Sequence, residues 1–339
     1  MSKLTRSSLS YVAMCASLTL VAAVSAACGG QSATSGGGSS GDGGKKQHKI
    51  SVIVGLKGDD FYGSLACGAK QAGKKLGATI DVQGPDKWDP AEQLPVLNSV
   101  VAARPDAILI APVDDTALQA PLEQAASQGI KVVLVDTTVK DPAFAAAQVT
   151  SNDELAGEKA AAEVIRVTGG KGSVVTVNTQ PGVSTVEARV KGFEKGLAKA
   201  PGLTYVGEKF SGDDAAKASS VVTSTLAAHP DLSAVFATNT LTGQGAATGI
   251  KNAHKTGQIK LVGFDANPSG VQAIEDGTAQ GQVVLEPLDI GYEGVAQAVN
   301  ALQDKKVTKL TLTKSLVATK QNLREAQVQK YLYKESCTG

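Results

Sequence analysis

Aromatic side chains are scarce in this chain of 339 residues: one Trp, six Tyr and six Phe. A core built without them must rest on Val, Ile, Leu and Ala. Any adjacent aromatic pair, such as Phe61-Tyr62, is then a candidate for something other than filling. Histidine is scarcer still. His48, His229 and His254 are far apart, with no ligand-like spacing and no HExxH motif, so no metal site is expected. A dominant charge is also missing. Lys plus Arg is 33 against 32 for Asp plus Glu, with no basic stripe, which argues against nucleic acid as a partner.

Catalytic signatures are lacking too. The run 63–70, GSLACGAK, has Ala69 where a phosphate loop needs Lys, and it lies inside a helical pattern. GGKGS at 169–173 lacks the spacing, GQGAATG at 243–249 falls within a helical stretch, and no GxSxG elbow is found. Neither an enzyme nor a bound cofactor is expected.

What is present begins at the N-terminus. Lys3 and Arg6 precede an uncharged apolar or small stretch over 9–27, then Cys28, then a Gly/Ser-rich leash. The pattern predicts an export signal over 1–27 and a flexible tether over 28–48, with lipid attached at Cys28. The working domain is then expected at the outer face of the cytoplasmic membrane, held through a lipid anchor. Plain cleavage after Ala26, leaving Cys28 as a free thiol, is the rival. Cys15 leaves with the signal, so Cys67 and Cys337 remain as an even pair in an oxidising compartment. A disulfide pinning the C-terminal tail to an early helix is predicted; two buried thiols are the alternative.

Roughly 290 residues follow the signal and leash, enough for two domains of ~150 each. Short Val/Ile-rich runs begin at Ile50, Thr79, Ala107, Lys131, Ser173, Leu203, Ala234, Ile259 and Gly281. Most are apolar at successive positions, as strands covered on both faces must be. Ala-rich segments with helical spacing lie between them. This alternation predicts an α/β protein with parallel, doubly wound sheets. Helix starts are expected at Asp89-Pro90, Asp213-Asp214 and Asn267-Pro268, and helix stops at Gly73, Gly129 and Gly277. The run 148–157, QVTSNDELAG, interrupts the alternation and is a candidate crossing between lobes.

In such sheets ligands bind beyond the C-terminal strand ends. There stand Asp59, Phe61 and Tyr62, then Asp136, Arg189, Asn239, Asp265 and Glu286. Carboxylates, Asn and Arg each engage two hydroxyls at once, and aromatic faces cover the C–H faces of a sugar ring. Bland readings compete at each position. Asp136, Asp265 and Asn239 are also candidate helix caps, Arg189 a surface ion pair, Phe61 a core residue, Tyr62 a packing residue and Glu286 a solvent-facing acid. Trp88 sits in a loop before a helix and is expected to pack, with a place at the cleft rim as the alternative.

With these residues in order, the chain resembles the type I periplasmic binding proteins of the ribose/galactose-binding family. The similarity is carried by IVGLKGDDFYGSLACGAKQAGKKLG, RPDAILIAPVDDTAL, GIKVVLVD, EARVKGF, AVFATN, LVGFD and VVLEP, from about Lys49 to about Lys320. The resemblance implies an extracytoplasmic receptor, a monomer, that captures a monosaccharide or polyol and delivers it to an ABC permease. A sensory receptor read by a membrane kinase or chemoreceptor is the alternative. It implies two lobes joined by three hinge segments, 49–150 with 287–315 and 151–286 with 316–339. It also implies a ligand set of Asp59, Phe61, Tyr62, Asp136, Arg189, Asn239, Asp265 and Glu286. Asp60, Thr137, Glu286 and Ala111 depart from the family pattern. Together they remove cation and add anion, which suits a neutral polyol or a ligand with some positive character.

Overall fold

The computed structural model describes residues 47–333 and residue 337. The signal sequence, Cys28 and nearly all of the tether lie outside the described residues.

Two six-stranded sheets are built with one plan. The first contains β1 (His48–Ile53), β2 (Ala78–Gln83), β3 (Ala107–Ile110), β4 (Lys131–Val135), β5 (Ala147–Ser151) and β11 (Leu310–Thr313), in the order β11-β5-β4-β3-β1-β2. The second contains β6 (Gly172–Asn178), β7 (Leu203–Phe210), β8 (Leu232–Ala237), β9 (Lys260–Phe264), β10 (Gly281–Leu285) and β12 (Ser315–Ala318), in the order β12-β10-β9-β8-β6-β7. The first sheet is parallel throughout, and in the second only β12 runs antiparallel to its neighbour. Central strands such as β3 and β10 are buried at every position, which explains their unbroken apolar sequence. The edge strands β2 and β7 are half-exposed and mixed in character.

Helices follow the strands: α1 (Asp60–Leu76), α2 (Pro90–Ala102), α3 (Gln119–Ser127), α4 (Asp153–Thr168), α5 (Ser184–Leu197), α6 (Ala215–Ala228), α7 (Thr240–Asn252), α8 (Pro268–Glu275), α9 (Pro287–Leu302) and α10 (Ala326–Gln329). Asp89, Asp214 and Asn267 cap helices as their sequence context predicts, each accepting a backbone N–H of the first turn. The chain passes between sheets three times, from β5 into α4, from β10 into α9, and from β11 into β12. Helix α4 covers β8, β9, β10 and β12, whereas α9 covers β3, β4 and β5. Cys67 of α1 and Cys337 are bonded, with Cα atoms 5.2 Å apart.

Three local expectations need correction. The run from Gln148 is a strand first and a crossing second: β5 alternates in burial, so its apolar signal is half as dense as that of its neighbours. The short edge strands β11 and β12 are absent from the expected set; Leu310 and Leu312 of β11 face outward. Gly73 does not stop α1. It lies against β2, where a Cβ would come within 2.4 Å of Ile80, and Gly77 caps the helix instead at φ 73°.

Helix α4 meets α5 at Gly157, where an added Cβ would lie 2.0 Å from the carbonyl oxygen of Arg189. A side chain there must push the two helices apart. Gly157→Ala is expected to destabilise the domain by about 1–3 kcal/mol. The check is the urea midpoint, which should fall at unchanged slope.

Candidate ligand-binding site

The strands of both sheets end at one cavity. It holds about 540 Å³ of atom-free space including its mouth, within the range of small-molecule sites. Asp59, Phe61, Tyr62, Asp136, Arg189, Asn239 and Asp265 all line it. Glu286 is the exception. It stands at the N-terminus of α9, where the chain crosses between sheets, and its carboxylate accepts the Lys314 N–H at 2.9 Å. The strand-end rule places it at the site, but the chain crosses to the other sheet there, and Glu286 lines a separate pocket with Pro287, Leu288 and Tyr331.

The head of α1 supplies the first wall. Asp59 is its N-cap; Oδ1 accepts the N–H groups of Phe61 and Tyr62 at 2.9 and 3.2 Å. Phe61 is both buried and cavity-lining, so burial in the core does not remove it from the cavity wall. Its ring meets Tyr62 edge-on with centroids 5.2 Å apart. Trp88 stacks on Tyr62 at 6.0 Å and also lines the cavity, so it both packs and reaches the cleft. Its indole N–H has no acceptor among the described residues.

Asp136 and Asp265 follow equivalent strands, β4 and β9, and both adopt left-handed backbone, φ 62° and 70°. That conformation costs roughly 1–3 kcal/mol for a non-glycine residue. Neighbouring strands hold it. The Asp136 N–H donates to Val149 O at 2.9 Å and the Asp265 N–H to Val283 O at 2.8 Å. The Tyr62 hydroxyl donates to Asp136 Oδ2 at 2.7 Å. Thr240 donates its N–H and hydroxyl to Asp265 Oδ2 at 3.2 and 3.1 Å.

Arg189 brings the only cation among the lining residues. It is no surface pair: the residue is buried, with Nε donating to Asp153 at 2.8 Å and Nη1 to Thr238 O at 2.8 Å. Its guanidinium lies over the Phe264 ring, 4.4 Å from the centroid. Burial disfavours its charge, but Asp153, Asp265 and Asp136 outweigh that and hold its pKa above the ordinary value. Asn239 caps α7 in a reciprocal box with Thr242 while its Nδ2 donates to Asp213 at 2.7 Å. The cap reading and the cavity reading are therefore both true of it.

Asp213 also lines the cavity, and so do Thr179, Thr185 and Leu241. Sequence context marks Asp213 only as a helix start; its position just past the end of β7 is the signal that points to the cavity. The small and apolar residues carry none.

Four lining carboxylates face one guanidinium. Burial pushes Asp59 up to about 7, assisted by Asp265 and opposed by the two N–H bonds it accepts. Burial likewise pushes Asp136 up to about 7, against the pull of Arg189 and the Tyr62 hydroxyl. Among the described residues no group of His, Cys, Asp or Glu is placed to hold a metal ion.

Comparison with known proteins gives the class. The family model for the periplasmic binding protein domain matches residues 50–306. The chain belongs to this family. It is 27% identical over 268 residues to the D-allose-binding periplasmic protein of Escherichia coli, covering 77% of this chain and 86% of that protein. It is 28% identical to the ribose import binding protein of Escherichia coli, covering 76% and 86%. An ABC transporter solute-binding protein from Agrobacterium vitis, solved with α-D-tagatopyranose, shares 37% identity and a TM-score of 0.83 over 85% of this chain and all of that one. A second from the same organism, solved with D-fucose, shares 32% identity and a TM-score of 0.80 over 84% and 100%.

The raised carboxyl groups carry a sign. Asp59 and Asp136 hold protons in the folded protein that the unfolded chain releases near pH 4, so their contribution to stability is lost as pH rises from about 4 through 7. Ligand-free domain should be more stable at pH 5 than at pH 8. Asp59→Asn and Asp136→Asn should each flatten that slope in urea titrations run across the range.

Proposed function

We propose that this cavity takes up a monosaccharide or polyol and that the protein delivers it to an ABC permease. The observation that carries the reading is the convergence of acids from both sheets, one fixed guanidinium and the aromatic faces of Phe61, Tyr62 and Trp88 on a single cavity. Asp59, Asp136, Asp213 and Asp265 accept hydrogen bonds from ligand hydroxyls, Arg189 Nη2 donates one, and Phe61 and Trp88 cover the ring. Tagatose and fucose in related proteins of 37% and 32% identity support the sugar class. No catalytic step belongs to this role.

Residues 49–150 with 287–315 would act as one lobe, and 151–286 with 316–339 as the other. Across the cleft Asp115 N–H donates to Gly182 O at 3.0 Å, and Thr138 N–H to Ser184 Oγ at 3.0 Å. Asn267 Nδ2 donates to Asp60 Oδ2 at 3.1 Å. These bonds exist only while the lobes are together, and a ligand held by both lobes favours that state by its differential affinity. We place the mature protein, a monomer, outside the cytoplasmic membrane, tethered by lipid on Cys28.

Thermal melting against D-tagatose, D-fucose, D-allose, D-ribose and the corresponding polyols tests the class. A rise of several degrees with one of them supports it, since a ligand of the native state alone stabilises. No shift with any carbohydrate, and a shift with an amino acid, overturns it. Asp136→Asn keeps the shape but weakens the charged hydrogen bonds; titration calorimetry should show at least a tenfold loss of affinity. Alkylation of native exported protein should label neither Cys67 nor Cys337 until reductant is added, and both afterwards.

A further inference from the structure

The two sheets share a plan, but their aromatic residues come from different places. In the first lobe Tyr62, at the head of α1, donates its hydroxyl to Asp136. The equivalent position in the second lobe is the head of α5, where Val183, Ser184 and Thr185 offer no aromatic ring. The partner of Asp265 arrives instead from the C-terminal tail. Tyr333 is buried, and its hydroxyl donates to Asp265 Oδ1 at 2.6 Å. Both tyrosines flank the same ring: Phe61 meets Tyr333 edge-on at 5.8 Å, as it meets Tyr62 at 5.2 Å.

The tail is fixed on both lobes. Leu323 and Val328 pack with Ala266, Ile274 and Val284 of the second lobe, and the Tyr333 N–H donates to Ala266 O at 3.1 Å. Four residues further on, Cys337 is bonded to Cys67 of α1 in the first lobe. A four-residue span reaches at most ~14 Å, so the bond keeps Tyr333 within that reach of Cys67 on α1. Burial and the neighbouring Asp265 raise the Tyr333 pKa well above the ordinary phenol value, so it remains a donor.

We propose that Tyr333 is a positioning residue for the ligand site: its hydroxyl aims the Asp265 carboxylate at the cavity, and the Cys67–Cys337 bond keeps it in place. Ligand affinity then depends on a tail residue and a covalent bond that do not line the cavity. This rests on reading the cavity as the sugar site. Asp265 Oδ2 is held by Thr240 and Oδ1 by Tyr333, so both oxygens are fixed before a ligand arrives, and a preorganised acceptor loses less freedom on binding.

The test compares wild type, Tyr333→Phe and the double variant C67S/C337S. Tyr333→Phe keeps the ring against Phe61 and removes only the hydroxyl. Affinity is measured by calorimetry with whichever of D-tagatose, D-fucose, D-allose and D-ribose shifts the wild-type melt. A loss of about tenfold in Tyr333→Phe, with a similar or larger loss in C67S/C337S, supports the proposal. An affinity within twofold of wild type in Tyr333→Phe overturns it. Hydrogen exchange on ligand-free protein decides independently of any sugar. Faster exchange of the Asp265 and Ala266 amides in both variants is expected, and unchanged exchange overturns the proposal. If no sugar shifts the wild-type melt, the sugar reading fails by itself, while the exchange comparison still decides whether Tyr333 holds Asp265 in place.

Discussion

The buried guanidinium of Arg189 is the interaction on which the site depends. A lone buried cation is costly, and its solvation must be replaced by fixed partners. Here Asp153 takes Nε, the Thr238 carbonyl takes Nη1, and the Phe264 face lies beneath. None of these partners leaves room for error in backbone placement. The head of α4 supplies Asp153, the end of β8 leads to Thr238, and β9 ends at Phe264. Helix α5, which bears Arg189, reaches them because Gly157 and Gly192 let α4 and α5 touch backbone to backbone. Packing of two helices thus fixes the one positive charge of the cavity. That charge in turn pulls Asp136 and Asp153 toward their ionised forms against the cost of burial.

Duplication explains much of the rest. Because the two sheets repeat one strand order, the strand-end aspartates Asp136 and Asp265 fall in corresponding places and face a common space. Each adopts a left-handed backbone that a free loop would not retain. Each is over-determined by a bond to the adjacent strand and by a side-chain donor. The lobes differ in what fills the space beside them. The first places Phe61 and Tyr62 there from its own helix, and the second places a cation. An aromatic wall facing a polar wall suits a ligand whose two faces differ, as those of a sugar ring do.

Most of this was legible in the sequence where burial is complete. Runs such as AILI and KVVLV lie between two layers of helices and show no alternation, so they read as strands at once. The short, alternating or exposed strands do not. β5, β11 and β12 bury one face or less and are four or five residues long, too short for a period to emerge. The site divides the same way. Residues shortly after a clear strand, Asp136, Asn239 and Asp265, line the cavity as the strand-end rule leads one to expect. Glu286 satisfied the same rule and stands elsewhere, because the rule assumes the chain turns back over its own sheet and here it crosses. Tyr333 was invisible: nothing in the local sequence of a tail indicates which loop it will lie against.

The balance of charge bears on what the cavity prefers. A protonated carboxyl donates one hydrogen bond, and an ionised one only accepts. Asp59 and Asp136, both pushed up to about 7, sit between these states near neutral pH. A hydroxyl group of a ligand meets either form, donating to the ionised acid or accepting from the neutral one. An anionic ligand would raise both groups further and would find Arg189 as its one cation, already engaged by Asp153. A ligand of neutral hydroxyls replaces water at each acid without adding charge. If the cavity is the sugar site, its surplus of acids disfavours acidic sugars, and Trp88, Phe61 and Leu241 shape the space left for neutral ones.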